Sequence, residues 1–195
     1  MGPQRHAVTY RLRGGRLANL VAVVERPSDA AESWESTGTR DDALQDFQGW
    51  HPIITTLLRE ADQLHRWSLF DRPPLPSWTD RRVALLGDAA HPMLPFMAQA
   101  AAMAVEDAWT LASQLTDDVP ASLKTYEQLR QPRTADLHRR SETNAKLFHR
   151  SHPLLVSHLR VAHTFPELAL RRLDPVYGFT PPALPSAPPC GVPLA

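Results

Sequence analysis

The stretch RRVALLGDAAHP, residues 81–92, places an aspartate directly after a short apolar run. The carboxylate of Asp88 can accept hydrogen bonds from ligand hydroxyls, and Gly87 lets a ligand approach the backbone. The following loop leads into an alanine-rich helix, whose N-terminal N–H groups carry partial positive charge. These features suit a polyhydroxylated, electron-rich ligand. Spacing alone favours a plainer interpretation, a turn in which Asp88 caps the helix, since strand–Asp–loop–helix is common in α/β proteins.

Other residues with reactive side chains favour structural roles. His91 could act as an acid or base, but a hydrogen bond within its own loop is the simpler interpretation. Glu106 and Asp107 are adjacent on the predicted helix, so their side chains diverge by about 100° and cannot converge on one substrate atom. We interpret this pair as structural, with an arginine as its partner. Trp67, on a predicted strand, could line an aromatic substrate pocket.

Four histidines near the end of the chain raise the question of a metal site. They are His149, His152, His158 and His163. A metal site needs convergent ligands, and spacing alone rarely closes a tetrahedral site. Solvated or partly buried helix histidines are the better interpretation, so no metal site is predicted.

The composition excludes several classes of protein. The 195 residues include 21 Lys plus Arg and 21 Asp plus Glu, so the formal net charge is zero. A nucleic-acid or membrane-surface protein would need a basic excess to pair with phosphates. No apolar run approaches the roughly 20 residues that span a bilayer. The single cysteine, Cys190, cannot form an intrachain disulfide and indicates a reducing, cytoplasmic setting.

Hydrophobic periodicity predicts the elements that position these residues. The predicted strands cover residues 6–13, 16–26, 64–70 and 83–86, the first two as a β-hairpin and the last buried on both faces. The predicted helices cover residues 41–49, 52–61, 100–115 and 121–150, with a further apolar-periodic segment at 153–172. The fold class is therefore an α/β or α+β fragment.

The helices carry finer expectations. Asp41 or Asp42 could cap the first helix, and Pro132 should kink or divide the long one. One face of helix 100–115 is apolar and should pack closely on its neighbour; it contains Ala101, Ala104, Val105, Ala108, Leu111, Ala112 and Leu115. The arginines of the long helix lie among acidic residues, which indicates a solvated, mixed-charge face; they are Arg130, Arg133, Arg139 and Arg140.

Residues 81–115 resemble the second flavin-binding motif of the class A flavoprotein monooxygenases, the family of salicylate and hydroxybenzoate hydroxylases. The family pattern is G-D-A-A-H, then a proline, a Q-G pair and an E-D pair on the helix. The matching residues are Gly87, Asp88, Ala89, Ala90, His91, Pro95, Gln99, Glu106 and Asp107. Other segments are also similar to this family, and the resemblance covers nearly the whole chain.

The resemblance implies an FAD-dependent hydroxylase of a hydroxybenzoate- or salicylate-like substrate, with NAD(P)H as reductant and a flavin C4a-hydroperoxide as oxygen donor. It implies that Asp88 binds the ribityl hydroxyls, that Pro95 lies against the reacting edge of the isoalloxazine, and that the backbone of Gln99 to Ala102 stabilises negative charge at N1/O2. The residues expected near FAD are Gly87, Asp88, Ala89, Pro95, Ala98, Gln99, Ala100, Ala101 and Ala102.

Two departures from the family pattern bear on function. The glycine after the family's glutamine is Ala100 here, which costs about 1 kcal/mol or more if the position needs a positive φ. The G-x-G-x-x-G turn that holds the pyrophosphate is not found in this chain. The alternative is therefore a non-catalytic remnant or half of a split enzyme. The expected partners are FAD, a small aromatic substrate, and either a complementing N-terminal chain or a second copy.

The resemblance also implies a domain organisation. Residues 1–80 would form part of a substrate-binding domain, and residues 81–118 the C-terminal part of an FAD-binding domain. Residues 119–174 would form a helical region. Residues 175–195 contain seven prolines and are expected to be a tail without regular structure.

Overall fold

The computed structural model describes residues 1–26, 38–150, 152–181 and 183, so most of the proline-rich tail lies outside the described residues. The chain divides into two compact units. The first contains Met1–Leu69 and Lys146–Val161, and the second contains Phe70–Ala145 and Ala162–Ala195. The domain boundaries at residues 80, 118 and 174 remain predictions, because they refer to the longer fold of the family.

The first unit begins with an antiparallel hairpin. Strand β1 (Arg5–Leu12) pairs with β2 (Leu17–Val24) in a register that places Val8 opposite Val21. Gly14, in the turn, has a φ of 66°, a conformation that glycine adopts without steric cost. The predicted hairpin is confirmed.

Two short helices follow, close to their predicted bounds. They are α1 (Arg40–Asp46) and α2 (Pro52–Glu60). The hydroxyl of Thr39 caps α1 by accepting the Asp42 N–H, so the prediction of an aspartate cap is wrong. Within residues 64–70 only His65 makes a β-bridge, and no strand forms in the described part of the chain, so that prediction is wrong as well. A strand is defined by a paired neighbour, which local β propensity cannot supply.

A histidine pair is buried in the first unit. Nδ1 of His6 lies 2.8 Å from Nε2 of His149, and Nδ1 of His149 lies 3.2 Å from Oε2 of Glu25. Burial and the neighbouring His149 lower the pKa of His6 to about 4. His6 is therefore neutral in the folded protein near neutral pH. His149, one of the four histidines noted above, thus contacts polar side chains of its own unit.

The second unit contains a minimal sheet and the principal helices. Strand β3 (Thr79–Asp80) pairs with β4 (Val83–Ala84) in an antiparallel hairpin. The predicted strand at 83–86 is thus only partly formed, and Val83 is 65% exposed instead of buried. A 3-10 turn at Gly87–Ala89, a second one at Pro95–Met97 and helix α3 (Ala100–Gln114) come next.

A single long helix, α4 (Val119–Phe148), follows α3. It runs without interruption through Pro132, so the expectation that Pro132 divides the helix is wrong. Three shorter helices end the described chain, α5 (His152–Thr164), α6 (Pro166–Arg171) and α7 (Asp174–Tyr177). Because α7 includes residues 175–177, the expectation that the chain has no regular structure from residue 175 onward is wrong for these residues. Among the described residues, no helix is both long enough and apolar enough to cross a bilayer.

Glu127, on α4, forms hydrogen bonds with the residues at the start of the small sheet. Its Oε2 accepts hydrogen bonds from the Trp78 N–H and the Thr79 hydroxyl, both at 2.7 Å. The Ser77 hydroxyl donates to the same oxygen at 3.2 Å, and Lys124 Nζ lies 3.0 Å from Oε1. Burial by itself raises the pKa of Glu127, but these hydrogen bonds outweigh it and lower the pKa from 4.5 to about 2.

Replacing Glu127 should therefore flatten the acid dependence of stability. A carboxyl whose pKa is lowered on folding stabilises the protein above its unfolded pKa, and that stabilisation is lost as the pH falls through the folded value. We expect the wild type to lose stability between pH 4.5 and about 2 more steeply than Glu127→Gln, measured by urea unfolding at each pH. Glu60→Gln, at an exposed site, is the control. If the free energy of unfolding depends on pH to the same extent in the wild type and in Glu127→Gln, the proposed stabilisation by the Glu127 carboxylate is contradicted.

Candidate functional site

The buried face of α3 is largely polar. The residues that it buries are Met103, Asp107, Thr110 and Ser113. The apolar face that was expected to pack closely on a neighbour is mostly exposed in this chain, with Val105 70% and Leu115 53% accessible. Its expected neighbour is therefore not found among the described residues. A polar residue can be buried only where partners replace its water, and here Asp107 has them.

Asp107 joins three parts of the second unit. Its Oδ2 accepts the backbone N–H of Gly87 at 3.0 Å and lies 2.6 Å from Nε2 of His91. Its Oδ1 accepts Nε of Arg130 at 2.7 Å. The carboxylate is fully buried, and each oxygen has a donor. Asp107 thus holds the 87–91 turn, α3 and α4 together.

Glu106, the other member of the acidic pair, also binds arginines of α4. It accepts Nη1 of Arg130 at 2.7 Å and Nη2 of Arg133 at 3.1 Å. Arg133 also donates to the carbonyl of Val176 at 2.8 Å and lies over the ring of Phe179, 4.3 Å from its centroid. The structural interpretation of the acidic pair, with arginine as its partner, is confirmed.

The expected solvated arginine face is wrong for two of its members. Arg130 is 1% exposed and is among the largest fully buried side chains of the described chain. The side chain of Arg133 is 9% exposed. Charge patterning could not distinguish them from Arg139 and Arg140, which pair with Asp136 at the surface.

The charges of this network favour an ionised Asp107. Burial alone raises the pKa of Asp107, but the hydrogen bonds from His91, Arg130 and the Gly87 N–H outweigh it and leave the pKa below its ordinary value. The carboxylate partner places a proton on Nε2 of His91. Nδ1 of His91 is buried without a hydrogen-bond partner among the described residues. His91 therefore has a structural role, as the sequence favoured, although its side-chain partner is Asp107 on α3 and not a residue of its own loop.

Gly87 is needed for the close approach of the turn to α3. Its φ is 60°, in the left-handed region, and a Cβ at this position would lie 3.2 Å from Cβ of Ala104. Both the conformation and the contact disfavour a side chain. The small residues of α3 do permit close packing here, as predicted, although at Ala104 only.

The residues next to this anchored turn face solvent. Asp88 and Ala89 are exposed, and so are Pro95 and Ala98 in the following loop. Asp88 does not cap α3, because Gln99 occupies the N-cap position and makes no side-chain cap. The interpretation of Asp88 as a helix cap is therefore wrong, and its carboxylate remains accessible to a ligand.

The backbone N–H groups in the first turn of α3 have no acceptor within the helix. The first intrahelical hydrogen bond runs from the Met103 N–H to the Gln99 carbonyl at 2.8 Å, so the N–H groups of residues 100–102 have no intrahelical acceptor. Ala100 is the first residue of the helix and does not have a positive φ, so the expected backbone strain does not occur there. Ala98, two residues earlier, has a φ of 53° instead.

The remaining predicted site residue belongs to the other unit. Trp67 lies in the extended stretch after α2 and is 47% exposed. Trp67 is part of the first unit, whereas Asp88 is part of the second, so the role of Trp67 in a substrate pocket stays a prediction.

Comparison with known proteins identifies the family of the chain. A family model described as "FAD binding domain" matches residues 12–141, which include the 87–91 turn, α3 and most of α4. The chain belongs to this FAD-binding family. The predicted resemblance is thereby confirmed, and FAD is the cofactor of the family.

Individual members of the family are hydroxylases of small aromatic acids. The chain is 39% identical over 153 residues to 3-amino-4-hydroxybenzoate 2-monooxygenase PtmB3 of Streptomyces platensis, covering 76% of this chain and 38% of that protein. It is 38% identical over 152 residues to 3-hydroxybenzoate 6-hydroxylase of Klebsiella oxytoca, with the same coverage. A solved salicylate hydroxylase substrate complex matches with 28% identity and a TM-score of 0.76, over 92% of this chain and 46% of that one. The chain thus spans less than half the length of these relatives.

Replacing Asp107 should destabilise the second unit strongly. Asp107→Asn leaves the buried Arg130 guanidinium with a neutral partner, and breaking a buried ion pair costs about 3–5 kcal/mol. We expect a loss near the lower end, because Glu106 still pairs with Arg130. Urea unfolding at neutral pH measures the change. Asp136→Asn, which removes a surface pair, is the control and should cost less than about 1 kcal/mol. Equal losses in the two variants would contradict the central role of Asp107.

Proposed function

We propose that this chain contributes the ribityl- and ring-facing part of the FAD site of an aromatic-ring monooxygenase. The observation that carries the proposal is the exposed carboxylate of Asp88, in the turn that Asp107 holds against α3, together with the uncapped N-terminus of the same helix. A hydrogen-bond acceptor and a set of backbone donors suit a ligand with hydroxyls at one end and a partly negative ring at the other. The residues present therefore fit FAD.

Each residue of the site has a distinct proposed task. Asp88 accepts hydrogen bonds from the ribityl hydroxyls. The N–H groups of residues 100–102, with the positive end of the α3 dipole, stabilise negative charge on the pyrimidine part of the ring. Pro95 and Ala98 present small, exposed, apolar surfaces against which the ring can lie. Gly87 and Ala89 complete the backbone beside the ribityl chain.

The proposed substrate is a hydroxylated aromatic acid. Two of the relatives described above are named for hydroxybenzoates, and the matched structure is a salicylate hydroxylase. Bound FAD would supply the redox chemistry that transfers oxygen to the ring, with NAD(P)H as the proposed reductant. The protein's part is to hold the flavin in place and exclude water. Trp67 is a proposed lining residue of the aromatic pocket.

The exposed apolar face of α3 suggests that a second polypeptide packs against this chain, and we add this to the proposal. Val105, Trp109 and Leu115 are 70%, 42% and 53% exposed, and Ala101, Ala108 and Ala112 between them are exposed as well. An apolar stripe of this kind is normally covered in a working protein. We propose that a complementing polypeptide, with the G-x-G-x-x-G turn of the family, packs on it and completes the FAD site. Under the alternative of a non-catalytic remnant, nothing would cover this face.

Titration with FAD tests the site directly. We expect flavin fluorescence to be quenched in a saturable way by the chain, alone or together with a polypeptide that carries the G-x-G-x-x-G turn. Asp88→Ala should weaken binding at least about tenfold, since a hydrogen bond to a charged group contributes roughly 1.5–3 kcal/mol.

Asp117→Ala, at an exposed site beyond the other end of α3, is the matched control and should bind as the wild type does. Circular dichroism would establish that all variants are folded. Binding only in the presence of the second polypeptide would support the split-enzyme form of the proposal. Folded protein that binds no FAD under either condition would leave a remnant and contradict the proposed function.

A further inference from the structure

The second unit contains a cluster of metal-ligand side chains that the flavin site does not use. One ligand atom each of Asp71, His138 and Glu142 lies within 4.8 Å of the other two. His138 and Glu142 are four residues apart on α4, so both project from the same face of the helix. Asp71 approaches from the segment before β3. The sequence analysis predicted no metal site, because no spacing rule joins Asp71 to the helix.

The imidazole of His138 has an unusual environment. The residue is 7% exposed, and its Nε2 is buried without a hydrogen-bond partner among the described residues. The same nitrogen lies 2.9 Å from Oδ1 of Asp71, close enough for a hydrogen bond but without the angles of one. Two ligand atoms at ion-pair distance that lack an aligned hydrogen bond are arranged as expected of donors that face a shared third atom.

The position of Asp71 is supported by contacts that do not involve the cluster. We call residues 71–79 the proline segment, since it contains Pro73, Pro74 and Pro76. This segment follows α4 through the hydrogen bonds of Glu127 to Trp78 and Thr79 and of Gln131 to the Pro76 carbonyl at 3.3 Å. The prolines restrict its backbone further. The third ligand is therefore held near the helix independently of any ion.

We propose that Asp71, His138 and Glu142 bind one divalent transition-metal ion, which ties the proline segment to α4. One imidazole and two carboxylates, with no sulfur, suit Zn²⁺ or Mn²⁺. Two donors of one tetrahedral Zn²⁺ ion lie about 3.4 Å apart, given bond lengths near 2.1 Å. The ligand atoms here lie within 4.8 Å of one another, so the carboxylates must move closer when the ion binds. The side chain of Asp71 is 37% exposed and can do so. Two carboxylates also balance the charge of the ion.

Metal titration of the chelator-treated chain tests this proposal. We expect calorimetry with Zn²⁺ or Mn²⁺ to show one ion per chain and a rise in the thermal unfolding temperature. Asp71→Asn and Glu142→Gln should each weaken binding at least tenfold, since the loss of even an outer-shell partner weakens metal sites 10- to 100-fold. Both replacements keep the size of the side chain and alter partly exposed positions, so the variants should fold.

Glu167→Gln, an exposed glutamate outside the cluster, is the matched control and should bind as the wild type does. Co²⁺ offers a second readout, because its visible absorption reports coordination by protein ligands and should disappear in His138→Ala. No binding at millimolar metal, or equal binding by the wild type and all four variants, would overturn the proposal. In the first case His138 and Asp71 form a simple polar contact, and in the second the ion binds to surface histidines elsewhere.

Discussion

A buried negative charge is the constraint on which the second unit depends. Asp107 is fully enclosed, and an isolated carboxylate in such a place would be prohibitively unfavourable. It is tolerated because the Gly87 N–H, His91 and Arg130 all converge on its two oxygens. Each partner belongs to a different stretch of the chain. Satisfying one charge therefore fixes the 87–91 turn, α3 and α4 relative to one another.

This constraint divides the family motif into two groups of residues. Gly87, His91 and the acidic pair face inward and hold the turn, whereas Asp88, Pro95 and Ala98 face outward and are available to a ligand. Because the polar side of α3 is turned inward, its apolar side is left at the surface of this chain. The same interaction therefore accounts for the presentation of the proposed flavin site and for the apolar stripe that we propose a further polypeptide covers.

The sequence predicted the local features and missed those set by distant partners. The hairpin, the bounds of α3 and the structural role of Glu106 and Asp107 follow from alternation, alanine content and helix geometry, which are properties of neighbouring residues. The polar face by which α3 packs in this chain was not predicted, since periodicity identifies an apolar face but not which polar residues gain buried partners. Residues 64–70 were predicted as a strand although pairing depends on a partner. The cluster of Asp71, His138 and Glu142 was not predicted, because Asp71 is distant from the other two in the sequence and lies near them only in the folded chain.

Amide hydrogen exchange with and without FAD is the most direct test of where the chain binds its cofactor. The experiment should use the chain together with any polypeptide that proves necessary for FAD binding. Our interpretation predicts slower exchange in the presence of FAD at residues 87–91 and at the first turn of α3, residues 99–102, with little change in the hairpin of β1 and β2. Protection confined to other segments, with exchange at Asp88 and residues 99–102 unchanged, would contradict the proposed site.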